Sequence, residues 1–241
     1  MDKKCKYYCY RNHQGISYRH IKNIDKLKLV VFDMDGVLTD IYSSWKYIHD
    51  YFNTSNKNSV QEYLKGKIDD MEFIRRDASL WKENGKNVSK EKLEKILSKV
   101  PIMNGAKECI YSLRENNVKT AIISAGLDIL ANRVGRELNI DYIVSNGVKT
   151  DQYGYINGQG ILGVKLIHKD EAVKKLMQQI DLSSKNIAAV GNSCFDITMF
   201  ETTGLAIAFN PNDECVKKAA DFIIEKKDLN LILPILKNYF A

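Results

Sequence analysis

The most constraining feature of this sequence is a short apolar run that ends in two acids and a glycine. Residues 27–32 read LKLVVF, and Asp33-Met34-Asp35-Gly36 follows at once. A run of this length, rich in Val and Leu and closed by a turn residue, predicts a buried strand of a parallel sheet. Ligands of open α/β sheets bind beyond the carboxyl ends of the strands, so the acid pair is predicted to lie at a functional site.

Strand patterns alternate with helix patterns along much of the remaining chain. Apolar runs predict strands at 118–126, 186–192, 205–210 and 220–224, and amphipathic patterns predict helices at 106–116, 128–138 and 169–180. Such alternation predicts a parallel sheet covered by helices on both faces. The expected fold class is therefore α/β, with a Rossmann-like parallel sheet as its core.

Two regions break this alternation. Residues 40–100 carry helical patterns and no strand pattern, which predicts an inserted helical domain. Residues 142–166 are rich in Gly, Asn and Tyr, a composition typical of a β-hairpin or flap with tight turns. The predicted organisation is an N-terminal extension at 1–26, a core domain formed by 27–39 and 104–241, and a helical cap domain at 40–103.

Composition is typical of a soluble globular protein, with 44% hydrophobic and 27% charged residues. No apolar run approaches the ~20 residues of a membrane-spanning helix, and the N-terminus lacks the apolar stretch of a secretory signal. The net charge of +6 is compatible with anionic substrates, while no nucleic-acid-binding motif is present. We therefore expect a cytoplasmic protein that contacts neither nucleic acid nor membrane.

Five cysteines occur, and two of them fall in the N-terminal extension. Three others lie singly within predicted elements, which indicates reduced thiols rather than a disulfide framework. Cys5, Cys9, His13 and His20 are residue types that bind zinc, but their spacing lies outside the common finger patterns. A flexible or packed extension is the favoured alternative.

The acid pair has a chemical meaning of its own. Asp33 and Asp35 are two residues apart, so at the end of a strand they point the same way. Two adjacent carboxylates repel one another unless a cation or a proton offsets the charge. The alternative for these residues alone is a turn with two solvated acids.

Three further polar positions follow predicted strands or begin helices. Ser124, followed by the N–H groups of Ala125 and Gly126, is suited to bind an anion, or simply to cap the next helix. Lys169 stands at a helix start, where the helix dipole disfavours a cation, which favours a role facing an anion. Asp196 offers oxygens for a hard cation, or a cap for the helix after it.

In this order the motifs resemble those of the haloacid dehalogenase superfamily, in particular its phosphoserine-phosphatase-like branch. DMDG at 33–36 matches the D-x-D motif, Ser124 the second motif, Lys169 the lysine motif, and GNSCFD at 191–196 the G-D-x-x-x-D motif. The resemblance spans about residues 28–240, and the helical insertion corresponds to the cap domain of that branch.

The resemblance implies a magnesium-dependent phosphatase that hydrolyses a small phosphorylated metabolite, a phosphate monoester, through an aspartyl-phosphate intermediate. Asp33 would be the nucleophile and Asp35 the general acid and base. The residues implied to bind the phosphate are Gly36, Ser124, Ala125, Gly126 and Lys169, with Lys165 as an alternative to Lys169. Those implied to hold Mg²⁺ are Asp33, Asp35 through its backbone carbonyl, Asn192 and Asp196.

The sequence departs from the family pattern at the metal motif and in the cap. Asn192 stands where the family usually has Asp, which predicts weaker magnesium binding. Tyr42 replaces a Glu that holds the amino group of phosphoserine, and Asp77 falls where an Arg receives the carboxylate, although Arg75 and Arg76 are adjacent. A different or broader substrate is therefore favoured over phosphoserine itself.

Alternative functions remain open on the motifs alone. A phosphomutase or phosphotransferase would pass the phosphoryl group from Asp33 to another hydroxyl. A weakly active or non-catalytic binding member would have kept the fold with impaired metal use at Asn192. A dehalogenase is disfavoured because its chemistry has no use for Asp35 as an acid. The chain is expected to act as a monomer or homodimer.

Overall fold

The computed structural model describes residues 24–240. The strands, numbered in chain order, are β1 (Leu29–Phe32), β2 (Lys82–Glu83), β3 (Lys86–Asn87), β4 (Lys119–Leu127), β5 (Tyr142–Thr150), β6 (Ile156–Ile161), β7 (Ile187–Gly191), β8 (Leu205–Phe209) and β9 (Phe222–Ile224). The helices are α1 (Ser44–Tyr51), α2 (Lys57–Leu64), α3 (Asp70–Ser79), α4 (Lys90–Leu97), α5 (Ala106–Glu115), α6 (Asp128–Leu138), α7 (Lys169–Gln179), α8 (Ile197–Thr202), α9 (Glu214–Ala219) and α10 (Leu233–Leu236).

Seven strands form one sheet in the order β6-β5-β4-β1-β7-β8-β9. All neighbours are parallel except β5 and β6, which form an antiparallel hairpin. The predicted α/β fold and the predicted hairpin at 142–166 are both confirmed. The first half of β5 also pairs in parallel with β4, so the hairpin grows out of the main sheet.

The central strand β1 fixes where the chemistry lies. All four of its residues are fully buried, because it pairs with β4 on one side and β7 on the other. Phe32 lies opposite Ile122 of β4 and Val190 of β7. Ser124 and Asn192 each follow those partners by two residues. The register therefore brings Asp33, Ser124 and Asn192 to the same edge of the sheet.

Apolar side chains alternate between the two faces of β1. Val30 and Phe32 belong to a cluster that includes buried residues of α5, α6 and the inserted segment. Leu29 and Val31 belong to a second cluster with buried residues of α7, α8 and α9. Helices thus cover both faces, as the alternating pattern predicts, and the site edge is framed from both sides.

The inserted segment contains α1 to α4 and also a hairpin, β2–β3, that the sequence pattern did not predict. The expectation of no strand between 40 and 100 is therefore wrong. Both strands are only two residues long and exposed, so they carry no apolar alternation. Asn84 and Gly85 join them with φ of 50° and 76°, the two positive values that a tight hairpin turn requires.

Several contacts hold the inserted segment against the β5–β6 hairpin and the loop after it. Ile156 N–H donates to the Val88 carbonyl at 2.8 Å. Leu166 N–H donates to Asp70 Oδ1 of α3 at 2.9 Å. Gly160 lies so close to Ile74 that a Cβ there would be 2.6 Å from the Ile74 methyl group. The cap and the core therefore meet directly beside the site edge.

The cysteines within the described elements are buried thiols: Cys109, Cys194 and Cys215. The candidate zinc ligands Cys5, Cys9, His13 and His20 lie outside the described residues. Between residues 24 and 240, no helix has the length and apolar character needed to cross a membrane.

Candidate active site

A buried lysine lies at the centre of the predicted site. Lys169, the first residue of α7, is 2% exposed. Its Nζ lies 2.9 Å from Asp33 Oδ1 and 2.6 Å from Asp196 Oδ1. Burial by itself would lower the pKa of Lys169, but the carboxylates of Asp196 and Asp33 raise it above the ordinary lysine value. The ammonium group therefore stays charged and offsets two buried acids.

Asp33 follows β1 and is 6% exposed. Its burial raises its pKa, while the charge of Lys169 opposes that shift. Asp33 and Asp196 thus share one ammonium group. This excess of acid makes the site suited to a further cation, because burying unpaired carboxylates is costly.

Asp196 makes contacts that the sequence did not predict. One of its oxygens is held by Lys169. The other accepts hydrogen bonds from Asn192 N–H at 2.8 Å, Ser193 N–H at 3.0 Å and Ser193 Oγ at 3.2 Å. Both oxygens thus have protein partners. This geometry favours Asp196 as the residue that positions Lys169 over the predicted role of Asp196 as a metal ligand.

Asp35 has one oxygen engaged and one free. Its Oδ2 accepts from the backbone N–H of Ser44 at 2.7 Å and from Ser44 Oγ at 2.8 Å. Its Oδ1 is buried and has no hydrogen-bond donor. Burial, opposed by the Ser44 hydrogen bonds, raises the pKa of Asp35 to about 7. A carboxyl group with this pKa can both give and take a proton near neutral pH.

The loop at the end of β4 is shaped to approach the acids. Ser124 is 2% exposed, and its Oγ accepts from Gly126 N–H at 3.1 Å. A Cβ at Gly126 would lie 2.9 Å from Asp35 Oδ2, so only glycine fits there. Two donors hold the Ala125 carbonyl: Trp45 Nε1 at 2.9 Å and Asn146 Nδ2 at 3.3 Å. The predicted anion site is thus fixed from both the cap and the core.

The predicted magnesium ligands can be tested against the same geometry. Asn192 Nδ2 donates to the Asp35 carbonyl at 3.1 Å. Gly36 has φ of 79°, and a Cβ at this position would collide with the Asn192 amide. Glycine therefore lets the Asn192 side chain reach the carbonyl. Carboxylate, carbonyl and amide oxygens are the ligands that Mg²⁺ prefers, so the chemistry of Asp33, the Asp35 carbonyl and Asn192 fits such an ion.

Asp196 does not complete a site of carboxylates. Across residues 24–240, no three His, Cys, Asp or Glu side chains form a metal-binding group. Of the predicted metal ligands, Asn192 and the Asp35 carbonyl are in direct contact.

The predicted specificity residues of the cap do not form a common pocket wall. Tyr42 is 51% exposed. Arg75 and Arg76 both pair with Glu72 on the outer side of α3, and Arg76 also pairs with Glu62. Asp77, by contrast, is 2% exposed. Of the four, only Asp77 is in the interior.

The buried Asp77 belongs to a polar cluster within the cap. Its Oδ2 accepts from Asn56 Nδ2 at 2.7 Å and lies 3.3 Å from His49 Nε2. Trp81 Nε1 donates to His49 Nδ1 at 3.2 Å, and the Trp81 ring packs on Trp45 at 5.4 Å between centroids. This chain of contacts links Asp77 to Trp45, which holds the Ala125 carbonyl near the end of β4.

Sequence reasoning missed Ser44 and Asn146, and it did not foresee the contact of Trp45 with the Ala125 carbonyl. Asn146 Oδ1 accepts from the N–H groups of Gly163 and Val164 at 2.9 and 2.8 Å, so its amide joins β5 to the chain that leads to Lys169. A serine at the start of a cap helix has only a capping signal in the sequence. Nothing in the local pattern marks Asn146.

Comparisons with known proteins agree with this arrangement. A model of the haloacid dehalogenase-like hydrolase family matches residues 27–204. The phosphoserine phosphatase of Methanocaldococcus jannaschii is 30% identical over 219 residues, which are 88% of this chain and 99% of that protein.

Two solved structures are similar over the same extent. A substrate-bound phosphoserine phosphatase complex has a TM-score of 0.74 at 28% identity and covers 88% of this chain and 99% of its own. A phospho-aspartyl intermediate analogue of phosphoserine phosphatase has a TM-score of 0.73 at 30% identity, with 88% and 100% covered.

Proposed function

Since this chain belongs to the haloacid dehalogenase-like hydrolases and is a phosphoric monoester hydrolase of the phosphoserine-phosphatase-like kind, we propose that it cleaves a small phosphate monoester through an aspartyl-phosphate on Asp33, with Mg²⁺ as cofactor. The observation that supports this most is the buried Asp33 carboxylate, 2.9 Å from Lys169 Nζ and next to Asp35. A nucleophile, a fixed positive charge and a second carboxyl group of raised pKa are what two-step phosphoryl transfer needs.

In the first step an Asp33 oxygen attacks phosphorus, and the bond from phosphorus to the substrate alcohol breaks. Asp35 gives its proton to the departing alkoxide. Lys169, Ser124 and the Ala125 N–H hold the phosphoryl oxygens as their charge shifts, while the Gly126 N–H keeps Ser124 Oγ in place.

In the second step Asp35 takes a proton from water, whose oxygen attacks phosphorus. The bond from phosphorus to Asp33 then breaks and inorganic phosphate leaves. Because Asp35 returns to its protonated form, the cycle closes without a net change in the protein.

Mg²⁺ would be held by Asp33, the Asp35 carbonyl and the Asn192 side-chain oxygen, and when bound it offsets the charge shared by the acids and the phosphate. Asp196 would then position the Lys169 side chain instead of binding the metal. This division of roles leaves the metal site with one formal charge fewer than an Asp at position 192 would supply.

Asn192→Asp is expected to lower the Kd for Mg²⁺ by roughly tenfold or more, because an added charge near a divalent cation is worth more than ~1 kcal/mol at a protein site. The measurement is the rise in Tm with increasing Mg²⁺, which reports binding without turnover. Asn210→Asp is the matched control, since Asn210 directly follows the neighbouring strand β8. Unchanged Mg²⁺ affinity in Asn192→Asp, or an equal gain in Asn210→Asp, would contradict the assignment.

The substrate alcohol is proposed to lack a carboxylate. Asp77 is a buried acid in the cap, and the two arginines before it are paired with glutamates on an exposed face. Neither guanidinium is therefore available to pair with a substrate carboxylate. A neutral or cationic alcohol needs no such partner.

Phosphate release tests both parts of the proposal. An aryl phosphate assayed with Mg²⁺ and with EDTA is expected to show turnover only with the metal. O-phosphoserine and phosphoethanolamine differ only by the carboxylate, so phosphoethanolamine is expected to have the higher kcat/KM. Turnover of no ester at high Mg²⁺ would favour a non-catalytic role, and a preference for phosphoserine would overturn the substrate assignment alone. Phosphate transfer to an added alcohol in place of release would indicate a phosphotransferase.

A further inference from the structure

Ser44 makes three contacts that tie the cap to the catalytic loops. It is the first residue of α1 and is fully buried. Its N–H and its hydroxyl both donate to Asp35 Oδ2, at 2.7 and 2.8 Å. Its Oγ also accepts from Leu127 N–H at 2.9 Å. Ser44 therefore joins the cap helix, the loop after β1 and the end of β4.

These contacts leave little freedom for the serine proton. Ser44 Oγ accepts from Leu127 N–H with one lone pair, and its hydroxyl hydrogen donates to Asp35 Oδ2 beside the Ser44 N–H. With two donors aimed at Oδ2, that oxygen acts as an acceptor. A proton on the Asp35 carboxyl group must then lie on Oδ1, which is the oxygen without a donor.

We propose that Ser44 is a positioning residue that fixes the Asp35 carboxyl group so that Oδ1 carries the transferred proton, and only when the first turn of α1 lies against the core. The inference rests on the proposed phosphatase function. It assigns the proton transfer to one oxygen and makes that transfer depend on the position of the cap.

The residues on either side of Ser44 make it possible to distinguish a positioning role from a purely structural one. Ser43 is the N-cap of α1, and its Oγ accepts from Lys46 N–H at 3.3 Å. It therefore supports the same helix without a contact to Asp35. Trp45, the next residue, donates to the Ala125 carbonyl, so the same turn of the cap also touches the loop after β4.

The test compares Ser44→Ala with Ser43→Ala on two phosphate monoesters, one with a good aryl leaving group and one with a poor alkyl leaving group. The quantity measured is kcat/KM, which reports the steps up to departure of the alcohol. Ser44→Ala is expected to lower kcat/KM for the alkyl ester by roughly tenfold to a hundredfold, since a poor leaving group depends on general acid help. The aryl ester is expected to change by less than about threefold, because it departs with little protonation.

The control variant Ser43→Ala is expected to leave the ratio of the two kcat/KM values unchanged, although losing an N-cap typically costs about 1 kcal/mol of stability. An equal loss on both esters in Ser44→Ala, a loss on neither, or the same change of ratio in Ser43→Ala would overturn the positioning role while leaving the phosphatase proposal intact. Turnover of neither ester by the unmodified chain would instead overturn the proposed function, and this inference with it.

Discussion

Asp33→Asn is expected to lower phosphate release by more than about 10³-fold, because the amide cannot form the phosphoryl bond that divides hydrolysis into two steps. The substitution keeps the shape of the side chain. It also removes one of the acids that share Lys169, so the folded state has less buried negative charge. We therefore expect a Tm equal to or above that of the unmodified chain.

The measurement combines steady-state turnover with acid quenching, which traps the phosphoenzyme in the unmodified chain and should trap none in Asp33→Asn. Asp141→Asn is the matched control. Asp141 accepts from Thr120 N–H near the start of β4, at the opposite end of the strand from Ser124, so its loss should leave turnover unchanged. Normal turnover in Asp33→Asn, or a phosphoenzyme in that variant, would refute Asp33 as the nucleophile.

The second large effect is expected for Lys169→Met, which removes the only cation paired with Asp33 or Asp196 in the described residues 24–240. Breaking a buried ion pair by removing one partner typically costs 3–5 kcal/mol, so we expect a loss of about that size. Turnover should fall by at least about 10²-fold, because the phosphoryl oxygens lose a fixed charge in the transition state.

Lys165→Met provides the matched control and decides between the two candidate lysines. Lys165 is exposed and pairs with Glu171 at 2.9 Å, so removing its charge should affect neither stability nor turnover by a large factor. Lys169→Arg keeps the positive charge, so it shows whether a loss of activity in Lys169→Met comes from the missing charge or from unfolding. Its Tm is expected to lie between those of the unmodified chain and Lys169→Met. Full activity in Lys169→Met with loss in Lys165→Met would reverse the assignment. Measurements of kcat/KM and of Tm on all three variants give the answer.

The location of the site was predictable because it follows from local patterns and one property of parallel sheets. Apolar runs predicted the strands that end at Phe32, Leu127 and Gly191 to within a few residues. Parallel neighbouring strands place their carboxyl ends at one edge, so polar residues after each run had to meet. No long-range contact was needed for that inference.

Roles within the site were less predictable because they depend on which atoms share a contact. Asp196 was expected to face a metal, yet both of its oxygens have protein partners, one in Lys169 and the other in Asn192 and Ser193 just before it. A metal ligand and a partner of Lys169 differ only in the direction in which the Asp196 carboxyl group points. A spacing pattern contains no information about such a direction.

In the cap, the difference between what local patterns predict and what contacts between distant residues decide is larger still. Its helices follow from amphipathic patterns, but the β2–β3 hairpin has too few residues to produce one. The sequence also gave no reason to connect Ser44 with Asp35, or Trp45 with Ala125, which lies 80 residues further along the chain.

By itself the sequence determined the strands of the sheet, the edge at which the candidate site lies and the identity of the acids, the hydroxyl and the lysine there. Only the tertiary structure decided that Ser44 holds Asp35, that Asp196 holds Lys169, and that Asp77 is buried beside His49. The reason is physical: periodic patterns record which side of an element is buried, whereas hydrogen bonds between distant segments form only after the packed elements set distances to within a few tenths of an ångström.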